Sequence, residues 1–211
     1  MTAEIKRLNR FTSLPVLLDI LENKKLVLLD PSLCWDDKND TLIIEAYKQK
    51  AHIKNLFALC FTHRAETIHH WRTFANGASG CCIQFDAITL FETLNKIKEI
   101  RHGVVDYLKI SETQPEGISL KQIPFIKRIP YQFEREYRII WEGDWYLQTF
   151  SVRIDLNIIQ KITFSQQMPE PVYESIRNLI SERYKISKNQ INRSTIYENK
   201  KWINKFKAKP Q

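Results

Sequence analysis

Hydrophobic residues in this chain occur in short runs that alternate with amphipathic and polar segments, and this pattern limits the possible fold classes. Runs rich in apolar, β-branched and aromatic residues between turn signals predict strands over residues 26–29, 56–61, 80–85, 104–108, 134–141, 146–154 and 161–164. Helical periodicity predicts helices over residues 41–53, 66–75, 87–100 and 169–184, and one that Ser13 caps with Pro15 in its first turn. Helices predominate early and strands late, which predicts an α+β fold rather than a doubly wound sheet.

Positive charge is concentrated at the C-terminal end. The 211 residues contain 32 Lys and Arg against 24 Asp and Glu, a net charge of +8. Residues 183–211 hold nine of the basic residues and one of the acids, so residues 1–182 are balanced at 23 of each. We predict a single α+β domain over residues 1–182 and a basic segment over residues 183–211. The segment either binds nucleic acid through Lys200, Lys201, Lys205 and Lys207 or is a solubilising tail.

Several classes of protein lack support in the sequence. The N-terminal residues have no signal-peptide pattern and no apolar run approaches the roughly 20 residues of a membrane span, so we expect a cytoplasmic protein without membrane contact. The four cysteines contain no C-x-x-C pair, so we expect reduced thiols and no metal site. Glycine motifs for dinucleotide or Walker-type phosphate binding are absent from the sequence.

Three polar groups of residues have both a functional and a structural interpretation. Glu134 and Glu136, with Arg138, fall on one face of a predicted strand, and paired carboxylates suit acid/base or oxocarbenium-stabilising chemistry. The alternative is an exposed strand face on which Arg138 is a surface partner. The acidic loop before residue 41 could bind a divalent cation, but Asp40 as a helix N-cap is favoured. Adjacent His69 and His70 point in different directions on a helix and cannot chelate one ion together.

Several separated motifs resemble those of a bacterial family catalogued as domain of unknown function 2971. In order they are RFTS, WDDKND, CFT with W-R-x-F-A-x-G, G-x-C-I-x-F-D and Y-x-x-E-R-E-Y-R. They lie within residues 10–140, and a weaker likeness continues through residues 161–180. The family name carries no activity.

A more distant resemblance is to ADP-ribosyltransferases of the arginine, serine, glutamate type. Arg10, Thr62 and the Glu134-Arg135-Glu136 triplet follow the motif order of that class, although a single Thr62 stands where Ser-Thr-Ser is usual. The resemblance implies a split mixed or antiparallel sheet with flanking helices and NAD as a substrate. It also implies roles for individual residues.

By this resemblance Glu136 stabilises the oxocarbenium-like ribose and Glu134 activates the incoming nucleophile. Arg10 and Thr12 contact NAD, Thr62 hydrogen-bonds Glu136, and Trp71 or Phe74 stacks on nicotinamide. The implied protein is an ADP-ribosyltransferase that modifies RNA or DNA, acts as a toxin in phage defence and has an antitoxin partner. The alternatives are a non-catalytic or Mg²⁺-dependent nuclease-like nucleic-acid-binding protein and an interaction domain without chemistry.

Overall fold

The computed structural model describes residues 4–145 and 147–207. Over these residues the α-helices are α1 (Leu14–Asn23), α2 (Pro31–Cys34), α3 (Lys38–Ala51), α4 (Ile68–Phe74), α5 (Ala87–Leu94), α6 (Glu170–Tyr184) and α7 (Lys200–Phe206). The strands are β1 (Arg7–Ser13), β2 (Lys25–Leu28), β3 (Asn55–Thr62), β4 (Gly80–Asp86), β5 (Ile100–Val104), β6 (Asp106–Leu108), β7 (Ile126–Arg128), β8 (Glu136–Gly143), β9 (Phe150–Arg153), β10 (Ile159–Phe164) and β11 (Ile191–Arg193).

A seven-stranded sheet with the order β11-β10-β4-β1-β3-β8-β5 forms the centre of the molecule. Its neighbours run antiparallel except for the parallel pair β10 and β11. Strands β2 and β9 form a second, antiparallel sheet, and β6 pairs with β7 in a third, parallel one. The predicted α+β class with a mixed, mostly antiparallel sheet and flanking helices is confirmed, but the strands come from both halves of the chain.

Helices cover both faces of the large sheet. On one face, α1, α5 and α6 pack with β2 and β9 over Leu8, Phe57, Leu59, Ile83 and Ile139, which form the main core. Burying such apolar side chains contributes roughly 1.5–3 kcal/mol each, so this face supplies most of the stability of the domain. On the other face, α3 and α4 cover two smaller apolar clusters.

The large sheet opens between its two central strands. Strand β1 pairs with β4 along its whole length, from Arg7 opposite Asp86 to Ser13 opposite Gly80. With β3 it pairs only at Asn9 opposite Thr62. The sheet is therefore split at this point, and the ends of β1 and β3 diverge.

Several predicted boundaries were wrong for local reasons. The helix predicted over residues 87–100 ends at Leu94, because Asn95 closes it before β5 begins at Ile100. The strand predicted over residues 134–141 begins at Glu136, because Arg135 has a left-handed backbone (φ 46°) that strands do not adopt. The strand predicted over residues 146–154 is β9, and Tyr146 lies outside the described residues.

Ser13 and Pro15 begin α1 as predicted, although the Ser13 side chain makes no capping hydrogen bond. Strand β1 has no clear signal in its sequence, because polar residues interrupt its apolar ones.

The basic C-terminal segment is in part continuous with the domain. Strand β11 pairs with β10, and Ile186 and Ile191 are buried in the main core. Helix α7 is exposed along its whole length. Among the helices of the described residues, none has the length and hydrophobicity that a membrane span requires.

Candidate active site

A cleft of about 530 Å³ lies where the sheet opens between β1 and β3. This volume is in the usual range of small-molecule and cofactor sites. Six of the site residues expected from the sequence line it, namely Arg10, Thr12, Thr62, Phe74, Glu134 and Glu136. The structure therefore brings together side chains that are up to 126 positions apart in the sequence.

Glu136 is held at the start of β8 by the arginine two residues further along the strand. Arg138 donates from Nε and Nη2 to the two carboxylate oxygens of Glu136 at 2.7 and 3.0 Å. Both side chains are buried, Glu136 at 4% exposure and Arg138 at 1%. The spacing correctly puts both residues on one strand face, but that face is buried and not exposed as the structural interpretation required.

The charge state of Glu136 follows from these contacts. Burial alone would raise the pKa of Glu136, but the Arg138 guanidinium and the Lys127 ammonium hold it at about 2. Glu136 is therefore ionised throughout the neutral range. A carboxylate has about four lone-pair directions, and Arg138 occupies two of them, so acceptor capacity remains for a ligand hydroxyl.

Glu134 reaches the cleft from a position that strand alternation does not describe. It is the last residue of a 3-10 helix, Ile129–Glu134, and the left-handed turn at Arg135 separates it from β8. Its carboxylate accepts from Lys127 Nζ at 2.7 Å, and the same ammonium lies 3.5 Å from Glu136 Oε2. Burial raises the pKa of Glu134 above its usual value, against the opposing effect of Lys127. The two glutamates thus have pKa values shifted in opposite directions, a pattern typical of acid/base pairs.

Asp40 is part of this charged cluster, so its expected role as a helix cap is wrong. Asp37 is the N-cap of α3 and accepts from Asn39 N. Asp40 lies one turn inside the helix, is buried, and accepts from Arg138 Nη2 at 2.9 Å. Lys127 Nζ lies 3.6 Å from its carboxylate. Since buried carboxylates need compensating charge, Arg138 and Lys127 make this arrangement possible.

Arg10 lies in the cleft, and within the described part of the chain it has no acidic partner. Its Nη1 donates to the carbonyl oxygen of Cys60 at 2.8 Å. Among the residues that the structure describes, no carboxylate lies within 4.0 Å of its guanidinium. Burial lowers the pKa of Arg10, although an arginine stays charged at neutral pH. A cation with donors to spare in a cleft is suited to binding an anionic group.

Thr62 differs from its implied role, whereas nothing in the structure contradicts the role implied for Thr12. Thr62 Oγ1 donates to the carbonyl oxygen of Arg135 at 3.1 Å and accepts from Arg64 N, so it holds the backbone turn rather than the Glu136 carboxylate. Thr62 and Glu136 are nevertheless direct neighbours in the β3–β8 register. Thr12 is buried on β1 and lines the cleft.

Of the two aromatic residues expected to stack on a ligand, Phe74 lines the cleft and Trp71 does not. Trp71 is packed with Phe11, Ala75 and Cys82 in one of the small clusters. Its indole Nε1 donates to Glu66 Oε2 at 2.8 Å. Trp71 is a core residue in this structure, as its helical spacing with Ala75 favours. A second aromatic residue of the lining is Trp35, whose ring lies 4.4 Å from the Arg138 guanidinium carbon.

Charge is distributed unevenly over the cleft. Five carboxylates line it, from Asp36, Asp37, Asp40, Glu134 and Glu136, against the cations Arg10, Lys127 and Arg138. Lys127 and Arg138 are paired with acids, and Arg10 is the cation without such a pair among the described residues. Cys60 links the two groups through the backbone, because its carbonyl accepts from Arg10 and the residue pairs with Arg138 in the β3–β8 register. The carboxylates, together with Lys127 and Arg138, give one part of the cleft a net negative charge, and Arg10 adds a positive charge outside these ion pairs.

The four lysines expected to bind nucleic acid lie outside the cleft. Lys200, Lys201 and Lys205 are on α7, and Lys207 follows it. The aromatic rings of Trp202 and Phe206 lie between them, 62% and 69% exposed, with centroids 4.9 Å apart. A lysine after α7, Lys209, lies outside the described residues.

Sequence reasoning missed Lys127 and His70 as members of the site. Lys127 is on β7, a three-residue strand without a recognisable pattern, and its three carboxylate partners come from separate segments. A Lys127-Arg128 pair is in itself an ordinary surface pattern. For His70 the sequence pattern offers only a metal-ligand role, which the helical spacing to His69 argues against. Over residues 4–145 and 147–207, the structure has no group of three or more His, Cys, Asp or Glu placed to hold a metal ion.

Comparison with known proteins gives two distant structural likenesses. No family model and no curated protein matches the chain, so the resemblance to the family of unknown function stays a prediction. One similar solved structure is Thermus sp. 2.9 DarT in complex with ADP-ribosylated ssDNA, with 10% identity, coverage of 92% of this chain and 96% of that one, and a TM-score of 0.47. Another is Thermus sp. 2.9 DarT in complex with NAD+, with 9% identity, coverage of 94% and 100%, and a TM-score of 0.48. Structural likenesses this distant do not assign an activity or functional residues to this chain. The residue roles proposed below therefore depend on the geometry and charges of the cleft.

Proposed function

We propose that this chain is an NAD-dependent ADP-ribosyltransferase. The observation that carries the proposal is the charge pattern of the cleft, which contains a group of buried carboxylates and an arginine, Arg10, that has no acidic partner within the described residues. NAD has a matching pattern, because its pyrophosphate is anionic and its nicotinamide ribosyl end is cationic. Arg10 is suited to the pyrophosphate, and the carboxylates are suited to the cationic end.

The proposed chemistry needs two carboxylates with different tasks. Glu136, ionised and fixed by Arg138, accepts a hydrogen bond from a ribose hydroxyl and stabilises positive charge at C1′ as the bond to nicotinamide breaks. The bonding electron pair leaves with nicotinamide, which becomes neutral. Glu134 takes the proton of the acceptor nucleophile as that atom bonds to C1′. Packing against the nicotinamide ring is assigned to Phe74, since this aromatic side chain lines the cleft.

The proposal extends to the acceptor and the biological role. An exposed helix with lysines around two exposed aromatic rings has the composition of a single-strand nucleic-acid surface, since phosphates pair with lysine and bases stack on aromatic rings. We therefore take RNA or DNA as the acceptor. A role as a cytoplasmic phage-defence toxin with an antitoxin partner is the last part of the proposal, and it depends on analogy with small enzymes of this class.

The nuclease alternative is less well supported by the same contacts. Asp40, Glu134 and Glu136 each have Lys127 or Arg138 within 3.6 Å. A Mg²⁺ ion bound by these carboxylates would have to displace cations that already compensate them.

Nicotinamide release from NAD tests the proposed activity directly. Purified protein is incubated with NAD labelled in the adenylate part, with no acceptor, single-stranded DNA, RNA or cell protein. We expect free nicotinamide in every case and label transferred to a nucleic acid. Mg²⁺-dependent degradation of the nucleic acid without NAD turnover would instead favour the nuclease. Absence of NAD turnover under all conditions would refute the proposal.

Substitution Arg10→Gln should weaken NAD binding with little change in the chemical step. A charge-assisted hydrogen bond is worth about 1.5–3 kcal/mol, so KM for NAD should rise by roughly 10- to 100-fold while kcat stays within about threefold. Arg7→Gln is the matched control, because Arg7 is on the same strand but exposed and outside the cleft. Equal KM values for the two variants would contradict the role of Arg10.

Replacing Lys200, Lys201 and Lys205 together by glutamine should weaken nucleic-acid binding. Each lysine that contacts a phosphate contributes about 0.7–0.9 to the slope of log affinity against log salt, so the slope should fall by about two. Fluorescence anisotropy with a labelled single-stranded oligonucleotide measures this. A triple variant at the exposed residues Lys96, Lys98 and Lys121 carries the same charge change elsewhere. The same loss in both variants would show that only net charge matters.

A further inference from the structure

His70 is buried at the wall of the cleft and has both ring nitrogens bonded. It lies on α4 with 1% exposure, and its ring stacks on Phe11 with centroids 5.0 Å apart and planes 16° from parallel. A side chain so little exposed offers almost no surface to a ligand. Any role in the site must therefore act through its protein partners.

The bonds of His70 determine its tautomer. Nε2 lies 3.0 Å from the carbonyl oxygen of Glu134, which can only accept, so Nε2 carries the hydrogen. Nδ1 then accepts from the hydroxyl of Thr67 at 3.0 Å, and the oxygen of Thr67 accepts from the His70 backbone N–H. Burial lowers the pKa of His70, in keeping with the neutral ring that these bonds require. A continuous chain of hydrogen bonds runs from Thr67 through His70 to the backbone of Glu134.

This chain supports a strained turn. Arg135 has φ 46°, a conformation that costs a non-glycine residue of order 1–3 kcal/mol unless neighbouring contacts hold it. The carbonyl before the turn, of Glu134, is held by His70, and the carbonyl after it, of Arg135, is held by Thr62 Oγ1 and His63 N. The turn decides where the Glu134 carboxylate lies relative to Lys127. Glu136 has separate support from Arg138.

We infer that His70 is a positioning residue for Glu134, holding this carboxylate where it can take a proton from the attacking nucleophile. The inference deepens the proposed function and rests on it. Because the hydrogen bonds of His70 support Glu134 and not Arg10 or Glu136, its loss should slow the reaction much more than it weakens NAD binding. A misplacement of about 1 Å at a reacting group can cost about 100-fold in rate.

The experiment measures kcat and KM for nicotinamide release, with water as the acceptor. The variants distinguish the loss of the hydrogen-bond donor of His70 from the loss of its side-chain volume. His70→Asn should lower kcat by roughly 10- to 100-fold with KM for NAD within about threefold, because a shorter amide does not reach the Glu134 carbonyl. His70→Gln should restore kcat to within about fivefold, because its amide nitrogen can occupy the position of Nε2. His69→Ala is the matched control, an exposed histidine next in sequence, and should leave kcat unchanged. Circular dichroism and thermal melting identify any variant that fails to fold.

A double variant distinguishes positioning from a general structural effect. If His70 acts through Glu134, adding His70→Asn to Glu134→Gln should lower kcat by less than about twofold beyond Glu134→Gln alone. Additive losses, or no loss with His70→Asn in an active protein, would overturn the inference and leave the proposed function standing. Absence of nicotinamide release from the wild type would refute the proposed function itself, and the inference with it.

Discussion

Substitution Glu136→Gln is expected to lower kcat for nicotinamide release by about 10²- to 10³-fold. Removing one preorganised electrostatic group that acts on charge in the transition state typically has an effect of this size. Glutamine keeps the shape of the side chain but loses the negative charge that the proposed mechanism requires beside the ribose. The KM for NAD should change much less, since Arg10 supplies the contact to the anionic part of the ligand.

Asp40→Asn is the matched control for this substitution. Asp40 shares Arg138 with Glu136 and lines the same cleft, so both variants remove one negative charge from the buried cluster. Both variants should lose stability. Asp40→Asn, however, should lower kcat by less than about twofold, against the roughly 10²- to 10³-fold expected for Glu136→Gln. Equal losses of activity would mean that Glu136 acts only by supporting the cluster.

In cells, expression of the wild type should inhibit growth, and this inhibition should disappear with Glu136→Gln. A wild type that does not inhibit growth would count against the toxin role.

The pKa values of the two glutamates define the expected pH profile. Glu136, with a pKa of about 2, stays ionised, so it contributes no loss of activity as pH falls from 8 to 5. Glu134, whose pKa burial raises, is the group whose protonation should produce the acid limb of kcat. An acid limb that persists in Glu134→Gln would assign it to another group.

Local sequence patterns correctly indicate part of this site. Residues two apart on a strand share a face, so Glu136 and Arg138 could be placed together from spacing alone. The same rule fails for Glu134, because the left-handed turn at Arg135 interrupts the strand and no residue type in the triplet signals it. A glycine or asparagine would have been the usual marker of such a turn.

Long-range partners account for most of what the sequence did not predict. Asp40 and Arg138 lie 98 positions apart and meet because α3 packs over the face of the sheet on which Arg138 lies. Asp40 in the sequence W-D-D-K-N-D looks like an ordinary helix cap, since capping and buried ion pairing use the same residue type. Arg10 could be singled out only by resemblance. Its position in the split between β1 and β3 depends on tertiary packing that periodicity does not record.

Substitution Arg138→Met should have the largest effect on stability of any single change in the cleft. Arg138 is the bidentate partner of Glu136, a partner of Asp40 and a donor to the carbonyl oxygen of Pro124. Its removal leaves two buried carboxylates with only Lys127 to compensate them, which typically costs about 3–5 kcal/mol. Since domains of this kind are stable by about 5–15 kcal/mol, urea denaturation should show a large shift of the midpoint.

Two comparisons make this result specific to the buried cluster. Arg153→Met removes an exposed arginine from β9 and should change the free energy of unfolding by less than about 0.5 kcal/mol. Adding Glu136→Gln and Asp40→Asn to Arg138→Met should recover part of the loss, because neutral side chains need no counter-charge. A triple variant as unstable as the single one would show that the packing of the Arg138 side chain, and not its charge, stabilises the site.

The pH dependence of this destabilisation has a definite sign. In the wild type the pKa of Glu136 is about 2 when folded, against an ordinary value of 4.5, so its contribution is complete above pH 4.5 and is lost as pH falls towards 2. The sign of this shift is the one expected if Arg138 and Lys127 stabilise the ionised form of Glu136. Without Arg138, burial raises the pKa of Glu136 instead, and protonation then stabilises the folded state. The difference in stability between wild type and Arg138→Met should therefore narrow as pH falls from 6 to 3, and a constant difference across this range would contradict an electrostatic role for Arg138.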